Sequence, residues 1–228
     1  MKILIVATTW MEVKLLVDEM DLGDEISHFQ KRFRIDDCEI DVLISGIGTT
    51  CTTFHLTNVL KDIQYQAVIN IGIAGSLTHE LKIGDVVNVI SEEFADLGIE
   101  KEDEFLTLFE TGFIDLDEFP FEHGMLKATD SNGIFGLRKV KGITTNKSLG
   151  SKSSIADING KFNAQVESME GAAVLYVCNW LGIPCYQIRA ISNYVEPRDS
   201  EHWNIPLALE NLKNSVLNVL KKLSVPVS

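Results

Sequence analysis

Residues 46–63, GIGTTCTTFHLTNVLKDI, followed at 66–77 by QAVINIGIAGSL, decide the fold class. The first is a glycine turn that enters a helical stretch, and the second is a nearly unbroken apolar run ending in another glycine turn. A short apolar run bounded by glycine reads as a strand covered on both faces, the arrangement of a parallel sheet flanked by helices. Upstream, KILIVAT at 2–8 repeats the pattern and leads into helically spaced Met11, Val13, Leu15 and Leu16. HFQKRFRI (28–35) and CEIDVLIS (38–45) flank Asp36-Asp37 and predict a hairpin. Downstream, LKIGDVVNVIS (81–91), LRKVKGITTN (137–146) and CYQIRAIS (185–192) predict strands. SKSSIADINGKFN (151–163) predicts a short helix and turn, MEGAAVLYVCNWL (169–181) a helix, and about 206–223 a closing helix. Residues 98–135, acidic and rich in Phe, are weakly patterned and predict short helices or a loop excursion. The alternation of strand, glycine turn and helix predicts an α/β protein, a three-layer αβα arrangement around a mixed, mostly parallel central sheet, as a single domain over 1–228.

Composition narrows the possible partners. With 228 residues, 45% of them hydrophobic, the chain can bury a sizeable core. A net charge of -13 with no clustered Lys and Arg argues against nucleic acid or an anionic membrane surface as partner. The opening apolar run is too short for a signal peptide or a membrane span, which points to the cytoplasm. Cys38, Cys51, Cys178 and Cys185 lack CxxC spacing and lie among apolar residues, so free thiols are expected. No His/Cys/Asp cluster has ligand spacing, and neither a metal nor a cofactor is expected.

In α/β sheets ligands bind beyond the carboxyl ends of the strands, which directs attention to TTWME, SGIGTT, NIGIAGSL, TTNKS, ESMEG and ISNYVEPR. The glycine turns have neither the spacing of a dinucleotide fingerprint nor that of a P-loop. Locally, Thr9-x-x-Glu12 reads as a capping box, with Glu12 reaching back to the Thr9 amide. Glu170 stands in the first turn of a helix, where the macrodipole favours a carboxylate. Asn193 could satisfy a turn, and Tyr194, Trp203 and His55 could be ordinary packing residues. Arg189 is harder to dismiss, because a charge on a buried strand requires a partner.

Taken together and in order, Glu12 after the first strand, NIGIAGSL (70–77), LKIGDVV (81–87), ESMEGAA (167–173) and RAISN (189–193) resemble the purine nucleoside phosphorylase superfamily, and its nucleosidase branch in particular. The resemblance spans nearly the whole chain and is weakest at about 98–160. It implies a nucleoside phosphorylase-like fold, a purine nucleoside as substrate, and a homodimer or larger homo-oligomer whose neighbouring subunit completes the 5′ end of the site. It further implies that Glu12 is the base acting on water and that Arg189 helps to hold that water. Met169 and Glu170 would lie against the ribose, the carboxylate accepting from both hydroxyls. Gly72 and Ile73 would line the substrate. The first loop has no Lys or Arg, and Ile73 stands where several relatives place Ser, so water is the expected nucleophile and not phosphate.

Asn193 departs from the pattern of the adenine-specific members, which carry Asp there. An amide cannot supply a proton, but it can accept from an N7–H while donating to a neighbouring carbonyl, which suits hypoxanthine in the transition state. Bidentate contact to N7 and N6 of ground-state adenine is the competing match. The segment RAISNYVEPRDSEHWNIPLALENL (189–212) resembles the futalosine hydrolases. These release hypoxanthine from futalosine in the alternative menaquinone pathway. On that resemblance Arg198, His202 or Trp203 would receive the aromatic carboxylate at the substrate's 5′ end. Thr144-Thr145 occupies the place where adenine nucleosidases carry a stacking Phe, which leaves the stacking residue unassigned.

Overall fold

The computed structural model describes residues 1–102, 104–197 and 203–224, with the side chain of Ser224 excluded. In chain order the elements begin with β1 (Lys2–Ala7), α1 (Trp10–Val17), β2 (Asp21–Ser27), β3 (Gln30–Ile35), β4 (Cys38–Ile44), α2 (Thr49–Asp62) and β5 (Ala67–Ser76). They continue with β6 (Val86–Phe94), β7 (Gly98–Lys101), β8 (Glu104–Thr107), β9 (Leu126–Lys127), β10 (Arg138–Thr144), α3 (Lys152–Lys161) and β11 (Val166–Ser168). The last elements are α4 (Gly171–Leu181), β12 (Cys185–Tyr194) and α5 (Ile205–Ser224). No helix among the described residues is long and apolar enough to cross a membrane.

The main sheet runs β11-β10-β6-β12-β5-β1-β4-β3-β2, with β9 beside β6. It is mixed, and its parallel pairings fall into two blocks. β4, β1, β5 and β12 run parallel in one block, and β6, β10 and β11 in the other; β12 meets β6 antiparallel at the seam. The predicted hairpin forms as β3 and β4, and β2 adds an antiparallel edge. A further antiparallel pairing of β11 with β5 closes β5, β12, β6, β10 and β11 into a ring. This closure is the main departure from an open sheet. It seals a small apolar interior from Ala74, Val87, Val89, Val140, Val166 and Ile191.

Burial explains why the apolar runs are continuous. Alternate residues of β1 face opposite sides: Ile3 and Ile5 join the core under α1 and α5, and Leu4 and Val6 join the core under α2 and α4. Val13 and Leu16 of α1 meet Leu212 and Val216 of α5 on the first face, and Leu56 and Leu60 of α2 meet Val174 and Cys178 of α4 on the second. Of the two arrangements expected for residues 98–135, short helices or a loop excursion, the described residues take the second and contain no helix. They hold the separate β7–β8 hairpin, β9 and turns. Their acids and aromatics have no helical or strand period that would have revealed this.

Candidate active site

A cavity of about 300 Å³ opens at the carboxyl ends of β1, β5 and β12, against β11 and the start of α4. Glu12, Ile73, Met169, Glu170, Asn193 and Trp203, far apart in sequence, all line it. A larger recess of about 450 Å³ beside Phe119, Asn179 and Pro184 contains none of the buried carboxylates, so volume alone does not select the site.

Glu12 does more than cap its helix. Its Oε2 accepts from the Thr8 and Thr9 amides at 3.1 and 3.2 Å, as a capping residue would. Its Oε1 reaches across to β5 and accepts from the Ile73 amide at 3.1 Å. The carboxylate thus ties the first helix to the end of a central strand. Burial raises its pKa above the ordinary 4.5; the Arg189 charge and the backbone amides act against this rise, and the Glu170 charge adds to it.

Glu170 is the N-cap of α4, one position before the first helical turn, with φ -135° and ψ -22°. Other groups satisfy the free amides of that helix. Ser168 Oγ accepts from the Gly171 amide at 3.2 Å and Thr144 Oγ1 from the Ala172 amide at 2.8 Å. Relieved of capping, the Glu170 carboxylate accepts from the Gly48 amide at 2.9 Å on the opposite wall. Gly48 holds φ +86°, in the left-handed region that favours glycine, so the GIG turn has a specific task here.

Arg189 lies behind this pair and not on the cavity wall. It is fully buried, and its Nε, Nη1 and Nη2 have no hydrogen-bond partner among the described residues. Its charge is felt by Glu12 and by Glu92, a fully buried carboxyl pushed up to about 7 by burial. Glu92 accepts from Thr144 Oγ1 at 3.0 Å and from Gln187 Nε2. Gly72, expected at the substrate, is buried beneath Glu12 and Arg189. A Cβ there would collide with Arg189 Nη1 and lie 2.7 Å from Glu12 Oε1, so the glycine provides room for the pair and does not line the cavity.

Asn193 belongs to β12 itself, and a β-bulge accounts for its position. Ile191 pairs with Ala74 and Asn193 with Gly75, so Ser192 is the extra residue, and both Ser192 and Asn193 reach the cavity. Ser192 Oγ donates to Asn193 Oδ1 at 2.7 Å, and Asn193 Nδ2 donates to the Tyr194 carbonyl at 2.9 Å. These bonds orient the amide and leave it one acceptor site and one N–H.

Trp203 is half-buried and is the aromatic residue on the cavity wall among the described residues. Arg198 and His202 lie outside the described residues. Thr144 is turned away from the cavity by its bonds to Glu92 and Ala172, and Ser148 and Leu149 occupy the wall after β10. Sequence reasoning missed Glu167, Ser192 and Leu149. Ser192 was legible, because a hydroxyl beside an amide at a strand end is a local hydrogen-bond pair. Glu167 sits in a three-residue strand too short to carry a period.

The sequence model of the phosphorylase superfamily matches residues 2–223. Among curated proteins, the chain is 30% identical over 182 residues to a futalosine hydrolase of Streptomyces coelicolor, covering 77% of this chain and 76% of that one. It is 28% identical over 248 residues to a 5′-methylthioadenosine/S-adenosylhomocysteine nucleosidase of Bacillus cytotoxicus, covering 98% and 100%. A solved structure of futalosine hydrolase from Helicobacter pylori superposes with a TM-score of 0.82 at 20% identity over 97% of each chain, which is a likeness of fold.

Proposed function

The chain belongs to the phosphorylase superfamily, and from that membership we propose that it is a nucleosidase that hydrolyses the N-glycosidic bond of futalosine and releases hypoxanthine. The observation that carries this reading is the Asn193 amide, fixed by Ser192 and Tyr194 on the same cavity wall system as Glu12 and Glu170. Stretching the bond from C1′ to N9 leaves positive charge on the sugar and electrons on the purine. Water attacks C1′, its proton passes to Glu12, and N7 takes a proton from solvent. Asn193 Oδ1 then accepts from the new N7–H while its remaining N–H meets the 6-oxo group.

Glu170 receives the ribose hydroxyls with the oxygen capacity left beyond Gly48, and Met169 packs on the sugar. Arg189 acts on the attacking water and on Glu12 through its charge. Trp203 offers a ring face to the aromatic 5′ group. Ile47 and Met11, on the cavity wall yet 59% and 50% exposed, support a homo-oligomer in which a second copy covers the 5′ end. Light scattering is expected to give a mass of at least twice 25.4 kDa, and a monomer would remove this part of the reading.

One observation favours a second reading. The methylthioadenosine/S-adenosylhomocysteine nucleosidase of Bacillus cytotoxicus aligns over nearly the whole chain, further than the futalosine hydrolases do. Release of free base from futalosine, inosine and methylthioadenosine, with and without phosphate, separates the two. Phosphate-independent hypoxanthine from futalosine is expected, whereas adenine from methylthioadenosine as the main product would select the second reading.

A further inference from the structure

Among the described residues, Glu167 is the one carboxylate on the cavity wall that the mechanism above leaves without a task. It is 6% exposed. Its Oε1 accepts from the Leu149 amide at 3.1 Å, and its Oε2 is buried with no partner among the described residues. A buried carboxyl oxygen without an internal partner is unfavourable unless a ligand meets it. Burial pushes this carboxyl up to about 7, and among the described residues the Leu149 amide alone opposes the rise and no cation is posted to neutralise it.

Its position specifies what it would meet. β11 pairs antiparallel with β5, and Glu167 stands directly opposite Gly75. A Cβ on Gly75 would lie 3.4 Å from Asn193 Nδ2 and 3.9 Å from Oδ1. Residues directly opposite in such a pair carry Cβ positions about 4.5–5.5 Å apart, so Glu167 and the Asn193 amide flank the same glycine at the same end of the cavity. The purine edge that follows N7 carries the 6-substituent and then N1. In a 6-oxopurine N1 bears a hydrogen; in a 6-aminopurine N1 is a bare acceptor. Above about pH 7 this carboxylate is ionised and acceptor-only and tells the two apart by sign, whereas its protonated form would donate to a bare N1.

We propose that Glu167 is a specificity-determining residue, its free carboxyl oxygen accepting the N1–H of a 6-oxopurine held by Asn193, so that 6-aminopurines are disfavoured by their N1 lone pair. This rests on the nucleosidase reading. A site built to hydrogen-bond one substrate rejects the analogue that lacks the partner far more strongly than shape alone does.

At about pH 8.5, where Glu167 is ionised, the test compares kcat/KM for futalosine and its 6-amino counterpart in the native chain, Glu167→Gln and Glu167→Met. The Gln amide can donate to a bare N1, so the 6-oxo to 6-amino ratio is expected to fall at least tenfold, partly through a gain on the 6-amino substrate. Met fills the space without polar atoms and is expected to lose activity on futalosine alone. Equal losses on both substrates in both variants would mean that Glu167 only holds the Leu149 loop, and would overturn the proposal. Calorimetry on the native chain needs no variant to fold: 1-methylhypoxanthine is expected to bind at least tenfold more weakly than hypoxanthine, and equal binding overturns the assignment. Failure of the native chain to release base from any nucleoside would instead sink the nucleosidase reading on which the proposal rests.

Discussion

Single side chains in this site carry more than one duty, and the pH dependence follows from that. Glu12 is held by three backbone amides and yet is raised above 4.5, because burial outweighs Arg189 and the amides. A base must be unprotonated to act, so kcat/KM is expected to fall as pH drops through that raised value, a limb that a pH–rate profile would show above pH 4.5. Glu12→Gln can keep the Thr8 and Thr9 amide bonds through its carbonyl oxygen, at the cost of setting its NH2 against the Ile73 amide, and it cannot take the proton of water. Turnover is expected to drop about 10²–10⁴-fold with nucleoside binding largely retained, as measured by base release and calorimetry. Glu167 affects stability. Its carboxyl titrates at about 7 in the folded chain against 4.5 ordinarily, so the folded state binds the proton more tightly and loses stability as pH rises from 4.5 to 7. Glu167→Gln lacks this titration. Its stability relative to the native chain is expected to rise by about 3 kcal/mol between pH 4.5 and 8 in urea titrations, whatever the constant offset of the substitution.

At the scale of elements, the strand ends decide what reaches the cavity. β5 carries Gly72 beneath the Glu12–Arg189 pair, Ile73 whose amide holds Glu12, and Gly75 beside Asn193. Gly72→Ala would place a methyl where Arg189 and Glu12 meet. A loss of at least tenfold in kcat is expected, with KM much less affected, because the charges and not the nucleoside are displaced. The bulge at Ser192 likewise turns two successive residues of β12 toward one cavity, which regular alternation would forbid. Strands β1, β5 and β12 were legible as apolar runs, since burial on both faces removes the need for polar positions. β2 was not: every residue in it is exposed, so no burial pattern marks it, and only pairing with β3 makes it a strand.

Across the whole molecule, two apolar layers clamp the sheet, and α5 is the outer wall of one of them. Leu212, 1% exposed, packs there among Val13, Leu16 and the β1 isoleucines. Leu212→Ala is expected to cost about 2–5 kcal/mol in denaturant titrations while leaving the kcat of the remaining folded protein unchanged, because the cavity lies at the strand ends and not under α5. The α/β class, the order of the main strands and helices, and the candidacy of Glu12, Glu170 and Asn193 are legible along the chain alone. Continuous apolar runs and ordered short motifs are local signals, and the chain carries them whatever its final pairing. Tertiary packing places Gly72 and Arg189 behind the cavity, lets Ser168 and Thr144 cap α4 so that Glu170 can face Gly48, and sets Glu167 opposite Gly75, beside Asn193. Each of these depends on contacts between residues distant in sequence, above all the antiparallel pairing of β11 with β5 that closes the ring. A strand pairing of only two residue pairs leaves no period in the sequence, because it is set by where neighbouring strands end and not by the residues within them.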